Sequence, residues 1–418
     1  MSRGRERAAN LAVRLTPEAL RHVRRGHPWI FDGSIASVRG GRHGDGTGEP
    51  GDLAIVFDDR RRFVAVGLWD PESPIRVKVL HAGSPRRIDG AFWRDRVEAA
   101  LARRGDLVED PRTTGWRVLH GEGDGLPGLV VDRYGSGRSA ALVAKVYTAA
   151  WFPHLDDLLD SLVDALDIPT VVLRLARSVE RRAPTGMLDG TVLRGGPVTG
   201  PVRFAELGLR FTADVVRGQK TGWFLDQRDN RRRVGAMADG SRVLDVFCAG
   251  GGFTVHAAVG GATLVHSIDS SPHAIAETER HIALNRGTGG ASRTRHRSTI
   301  GDAFDVMASL RRRHESYDLV VVDPPNFAPR RSDVEGAMRA HTRLARLAVE
   351  LLEPGGTLVQ ASCSSRLDGD DLWRAMCAGA GAAGVGLLPS RRTGQPSDHP
   401  IGPPETAYLH AVFARIER

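Results

Sequence analysis

The sequence predicts a multidomain chain of mixed α/β and α+β class: a small β-rich unit, a middle α+β domain and a C-terminal doubly wound sheet. Three observations lead there. At 418 residues the chain is too long for one ordinary core. From about residue 206 buried strand-like runs alternate with helical runs, the mark of a mainly parallel sheet. A Pro/Gly-rich stretch, "RGGPVTGP", ends near residue 200 and separates that pattern from what precedes it. The expected boundaries are 1–84, 85–205 and 206–418.

The first unit opens with "TPEALRHVRRGHPWIFDGSI", a short helix with Thr16 as N-cap, Pro17 at N1 and Glu18 in the first turn. A glycine-rich connector, "RGGRHGDGTGEPGD", leads to the alternating runs "LAIVFDD" and "FVAVGLWD", and "IRVKVL" reads as a third strand. In the middle domain, "GSPRRIDGAFWRDRVEAALARRGDL" has apolar residues at helical spacing. A hairpin-like pair follows in "GWRVLHGEGDGLPGLVVDRYG" and "AALVAKVY", then a helix at "FPHLDDLLDSLVDAL" and a strand at "TVVLRLA". In the last domain "RVLDVF" feeds "FTVHAAVGGA", "LVHSID" feeds "SPHAIAETERHIALN", "YDLVVVD" precedes a helix beginning near Asp333, and "GTLVQAS" precedes "DDLWRAMCAGAG".

Hydrophobic content of 41% with 26% charged residues is that of a globular chain. The N-terminus lacks an apolar h-region, and no apolar stretch approaches the roughly 18 residues of a spanning helix, so the expectation is a cytoplasmic protein without membrane attachment. Cys248, Cys363 and Cys377 form neither a disulfide framework nor a zinc spacing, and no metal is expected. A formal charge of +8, carried almost wholly by arginine, fits a polyanionic partner. Arginine richness also follows from a GC-rich genome, so charge alone leaves nucleic acid undecided.

In such sheets ligands sit at the carboxyl ends of the strands. The first strand ends in "LDVFCAGGGF", whose Gly250, Gly251 and Gly252 let backbone approach a ligand closely, without the G-x-G-x-x-G of a dinucleotide site. The second ends in Asp269, about 24 residues past Asp245, placed to accept from ribose hydroxyls. Together these suggest S-adenosylmethionine. "STIGDAF" puts Asp302 where it can bond an adenine amino group, cap a helix, or do both. "LVVVDPPNF" ends a buried strand in two prolines, a rigid turn that presents Asp323, Asn326 and Phe327 above the sheet.

"KTGWFLDQRDNR", "LDVFCAGGGFTVHAA", "VVVDPPNFA", "SCSS" and "GQPSDHPIGPPETAYL" together resemble the bacterial large-subunit (23S) ribosomal RNA cytosine-5 methyltransferase family. "RLTPEALRHVRRGHPWIFDGSI" resembles that family's N-terminal PUA domain, an RNA-binding β-barrel, and "DGLPGLVVDRYG" is similar to its middle segment. The likeness spans nearly the whole chain. It implies a PUA-like β-barrel, a middle α+β domain and a Rossmann-like class I methyltransferase sheet, with 23S ribosomal RNA as partner; the sequence is silent on oligomeric state and leaves room for a homodimer. It also implies cofactor contacts from Phe224, Gln227, Asp245, Phe247, Gly250, Gly252, Phe253, Asp269, Ser270, Asp302, Ala303 and Asp323. The substrate base would meet Pro324, Pro325, Asn326 and Phe327.

In such a sheet the strand ending at Asp323 neighbours the one ending near Cys363, at about 4.8 Å. Cys363 then becomes the expected nucleophile toward cytosine C6, with Asp323 bonding the base. Cys248 and Cys377 are expected to be packing residues. Two departures from the family pattern are Arg366 after "SCSS" and the Cys-Ala of "FCAGGGF". Lys220, one of only three lysines, falls inside the first motif block. Two other readings fit the same chain. The "DPPNF" turn resembles that of enzymes methylating base amino groups, which need no cysteine. A non-catalytic RNA-binding or ribosome-assembly protein would use the fold as a scaffold.

Overall fold

The computed structural model describes residues 8–42, 44 and 46–417; His43 and Asp45 of the glycine-rich connector lie outside them. Two compact units emerge, and their chain segments interleave. The first holds residues up to Phe204 together with Ala213–Trp223 and Ser397–Thr406, and the second holds Ala205–Thr212, Phe224–Pro396 and Ala407–Arg418.

The first unit contains a six-stranded sheet in the order Trp29–Phe31, Ile75–Ala82, Phe63–Trp69, Leu53–Phe57, Asn10–Leu15, Ile35–Gly40. Asn10–Leu15 alternates exposed and buried residues as a half-buried strand should, which places Leu11 and Val13 in the core. The helix that follows, Pro17–Arg24, is capped as expected, with the Thr16 side chain accepting from the Ala19 N–H. A second, five-stranded sheet runs Val192–Arg194, Thr170–Leu175, Ala141–Val146, Leu129–Tyr134, Trp116–His120. Helices Gly90–Ala102 and Leu155–Leu166 pack on it, and Leu68 and Leu80 from the six-stranded sheet enter the same core as Phe92, Trp93, Trp116 and Trp151.

The second unit is built on a seven-stranded, Rossmann-like sheet. Its order is Arg295–Ile300, Leu264–Asp269, Arg242–Val246, Tyr317–Val322, Leu352–Cys363, Leu409–Glu417, Gly386–Thr393. The five strands from Arg295–Ile300 to Leu352–Cys363 pair in parallel, and Leu409–Glu417 is antiparallel to both of its neighbours. Inner strands such as Tyr317–Val322 read as nearly continuous buried runs because helices cover both faces. The strand order reverses between Arg242–Val246 and Tyr317–Val322, and the crevice at that switch point is where a ligand is expected. Among the described residues no helix is long and apolar enough to cross a membrane.

Candidate active site

The carboxyl ends of the five adjacent parallel strands supply the site. Arg242–Val246 runs into Phe247, Cys248 and Ala249 before the helix Gly252–Val259 begins. Phe247 and Ala249 have φ of +63° and +48°, left-handed values that a side chain rarely adopts and that cluster at functional turns. Gly251 is also left-handed at +76°, and a Cβ there would meet the Thr278 side chain at 2.6 Å, so glycine is required. Cys248 is buried beneath the turn with its Sγ 3.6 Å from Thr278 Oγ1, and burial pushes its thiol well up. It packs, as expected.

Around this loop the residues fit an adenosyl ligand. Asp269 accepts from the Ala249 N–H through Oδ2 and from the Ser271 N–H through Oδ1, both at 2.9 Å. One lone pair on each oxygen remains for ribose hydroxyls. Asp302 does cap a helix, its Oδ1 accepting from the N–H groups of Phe304 and Asp305. Asp245 is wholly buried under the loop. Its Oδ2 accepts from Thr254 Oγ1 at 2.6 Å, and its Oδ1 has no hydrogen-bond partner among the described residues. Burial, with the charge of Asp269 adding to it, pushes the Asp245 carboxyl up to about 6. Ser270 is exposed, Phe253 and Ala303 are buried, and Phe224 and Phe247 are half-buried.

Asp323 lies directly after the Tyr317–Val322 strand, with its N–H bonded to the Val246 carbonyl. Cys363 ends the neighbouring parallel strand, half-buried, and its Sγ stands 4.0 Å from Asp323 Oδ1. The same oxygen accepts from Gln227 Nε2 at 2.9 Å. Gln227 Oε1 in turn accepts from Asn230 Nδ2 at 2.7 Å, and Asn230 Oδ1 accepts from Thr393 Oγ1 at 2.7 Å. Each donor in this chain points toward Asp323, and Gln227 and Asn230 are almost fully buried. Sequence reasoning missed Asn230, although it lies three residues after Gln227 in the block "WFLDQRDNR", and Thr393, which backs Asn230 from the edge strand Gly386–Thr393.

The loops after the two strands are tied together. Ser364 Oγ bonds the Ala328 carbonyl at 3.4 Å, and Arg366 Nε bonds the Pro329 carbonyl at 3.4 Å, so the unexpected arginine fastens the loop holding Cys363 to the Asp-Pro-Pro turn. In that turn Pro324 is buried and Pro325 and Asn326 are exposed. Asn326 Oδ1 accepts from the Ala328 N–H at 2.9 Å, an Asx turn. The Phe327 ring packs edge-on against His341, centroids 5.5 Å apart. Behind the site Glu206 bonds both Arg231 and His256; burial opposes its ionisation, and the Arg231 charge with the His256 hydrogen bond brings its carboxyl down to about 2 nonetheless. Cys377 corrects an expectation: it is exposed on the helix Gly369–Ala382 rather than packed, because the turn of that helix directs Leu372, Ala375 and Met376 inward instead. Among the described residues no cluster of His, Cys, Asp and Glu could hold a metal ion.

The chain is also similar to known proteins. Residues 188–400 match the S-adenosylmethionine-dependent methyltransferase family, and residues 13–82 match a PUA-like domain. A ribosomal RNA large subunit methyltransferase of Deinococcus radiodurans is 44% identical over 100% of both chains. A ribosomal RNA large subunit methyltransferase I of Shewanella denitrificans is 32% identical over 97% of this chain and 99% of its own. Among solved structures, a chain from Streptococcus mutans described as an S-adenosylmethionine-dependent methyltransferase superposes with a TM-score of 0.78 at 18% identity, covering 97% of this chain and 99% of that one. Another, solved with S-adenosylhomocysteine, gives 0.79 at 19% identity with the same coverage.

Proposed function

The chain belongs to the S-adenosylmethionine-dependent methyltransferases of large-subunit ribosomal RNA, and from that premise we propose that it methylates C5 of a cytidine in 23S ribosomal RNA. The observation that carries this reading is the approach of Cys363 Sγ to within 4.0 Å of Asp323 Oδ1, at the carboxyl ends of adjacent parallel strands. A methyltransferase acting on an amino nitrogen has no use for a thiol there.

Cytosine C5 is a poor nucleophile. Cys363 Sγ adds to C6, the C6–S bond forms, and the C5–C6 π electrons move toward C4 and N3. The thiol proton passes by way of the Asp323 carboxylate to N3, so the base gains no net charge and C5 becomes enamine-like. Bound S-adenosylmethionine supplies a methyl group made electrophilic by its sulfonium. Once C5 carries the methyl, loss of the C5 proton to a base breaks the C6–S bond, and the N3 proton returns by way of Asp323 to the departing thiolate, restoring Cys363 and leaving the base neutral. Asp269 would hold the ribose and the second oxygen of Asp302 the adenine amino group, with the loop around Gly250 and Gly252 against the methionine portion.

Amine methylation at the Asp-Pro-Pro turn also requires an aromatic ring free to stack the base. Phe327 is half-buried and edge-on to His341, which favours the C5 reading. The test is Cys363→Ser assayed on ribosomal RNA that lacks the modification. Transfer should vanish while S-adenosylhomocysteine affinity stays as in the parent. A serine variant with near-normal turnover would return the amino group as methyl acceptor. Cofactor and RNA binding by the parent without any transfer would favour an assembly role.

A further inference from the structure

Only three of the 58 lysines and arginines are lysine, and all three lie in the first unit. Lys78, buried, reaches Asp70 Oδ2 at 3.3 Å. Asp70 also accepts from Thr148 Oγ1 and is paired with Arg182, which holds Glu72 as well at 3.0 Å. These contacts neutralise the acidic floor of a cleft of about 570 Å³ whose walls include Pro74, Tyr147, Ser178, Val179 and Arg181. Tyr147 follows Thr170–Leu175's neighbour, the strand Ala141–Val146, and is 49% exposed although its position in the chain is flanked by wholly internal residues. Lys145 Nζ lies 5.9 Å from the Tyr147 ring centroid and donates to the Lys220 carbonyl at 3.2 Å. Lys220 itself has a left-handed φ of +54°.

Two of the arginines near Lys145 are already paired, Arg174 with Asp189 and Arg117 with Asp132. Burial first, and then Arg174, Lys220 and Arg117, hold Lys145 below its ordinary pKa, with Asp189 opposing them. Arg181, on the cleft wall, is exposed. A half-exposed aromatic ring with a lysine ammonium beside it is what an unpaired nucleotide needs: a π-face for the base and a cation for the phosphate. A base paired within an A-form duplex keeps its faces stacked and could not use the ring.

We infer that Tyr147, with Lys145 and Lys220 beside it, forms a stacking subsite for one unpaired nucleotide of the RNA strand. The inference rests on the RNA reading of function and extends it to a part of the first unit remote in sequence from the PUA-like match. Lys78, Asp70 and Arg182 act as its scaffold rather than as ligand contacts.

The test uses the full chain, a fluorescein-labelled single-stranded oligoribonucleotide of mixed sequence, and a duplex of the same sequence. Tyr147→Ala should weaken single-strand binding by about tenfold or more and leave duplex binding within about twofold, whereas Tyr147→Phe should behave as the parent. Lys145→Gln should lower the slope of log affinity against log salt by about 0.7. An unchanged melting temperature with S-adenosylhomocysteine shows that each variant is folded, and Lys145→Gln carries the test if Tyr147→Ala is not. Equal single-strand affinity in parent and folded Tyr147→Ala, or an unaltered salt slope in Lys145→Gln, overturns the subsite alone. A parent that neither binds nor methylates any RNA overturns the functional reading and the subsite with it.

Discussion

Asp245 should make the protein less stable at neutral pH than at pH 4, and the amount can be worked out. The carboxyl is wholly buried, one oxygen is bonded to Thr254, and the other has no partner among the described residues. Burial therefore raises it from 3.8 to about 6. At about 1.4 kcal/mol per pK unit that displacement corresponds to roughly 3 kcal/mol. The folded state binds this proton more tightly than the unfolded chain. The contribution is thus absent below about pH 4, grows unfavourable as the pH rises toward 6, and is complete above it. Asp245→Asn removes the titration. Its amide places an N–H where Oδ1 had no partner, so the variant need not be more stable in absolute terms. The discriminating quantity is the difference in unfolding free energy between variant and parent, measured by urea denaturation from pH 4 to pH 7. Other groups titrate alike in both proteins and cancel. That difference should move in the variant's favour by roughly 3 kcal/mol across the range. Parallel curves would show that Asp245 ionises in the fold as easily as in water, and the buried placement would be wrong.

Two further outcomes follow from the site. Asn230→Ala leaves the Gln227 amide oxygen buried without its donor and loosens the hold on Asp323; kcat should fall about 10-fold or more while S-adenosylhomocysteine affinity is unchanged, and an unaffected kcat would remove the relay from positioning. Asp269→Ala should weaken S-adenosylhomocysteine binding by roughly 1.5–3 kcal/mol in calorimetry, and equal binding would mean that the ribose sits elsewhere.

Much of this site could be read from the sequence because its parts lie at strand ends, where hydrophobic runs stop and the next residue must face the crevice. Asp269, Asp323 and Cys363 were found in that way, and parallel pairing then brought the last two together. Gln227 was found as well, but its partner was not foreseen: its amide bonds Asp323, 96 positions away, and no local pattern encodes that distance. The helix Arg228–Met237 escaped notice because "RDNRRRVGAM" carries few apolar residues to mark a period. The edge strand Gly386–Thr393 contains a proline, is largely exposed and has its register broken between Pro389 and Arg391. The interleaving of the units was hidden too. Asp398 is buried in the first unit, where it accepts from the Arg117 N–H at 2.9 Å, although the segments on either side of Ser397–Thr406 belong to the second.

The most direct test of Cys363 as nucleophile is covalent trapping on RNA carrying 5-fluorocytidine in place of cytidine. Fluorine cannot leave as the C5 proton does, so a thiol bonded to C6 would stay bonded after methyl transfer. With S-adenosylmethionine present, the parent protein should give a protein–RNA adduct stable to denaturation, with the crosslink mapping by mass spectrometry to the peptide containing Cys363. Cys363→Ser should give none. An active parent that forms no adduct, or an adduct that persists in Cys363→Ser, would contradict attack by this thiol.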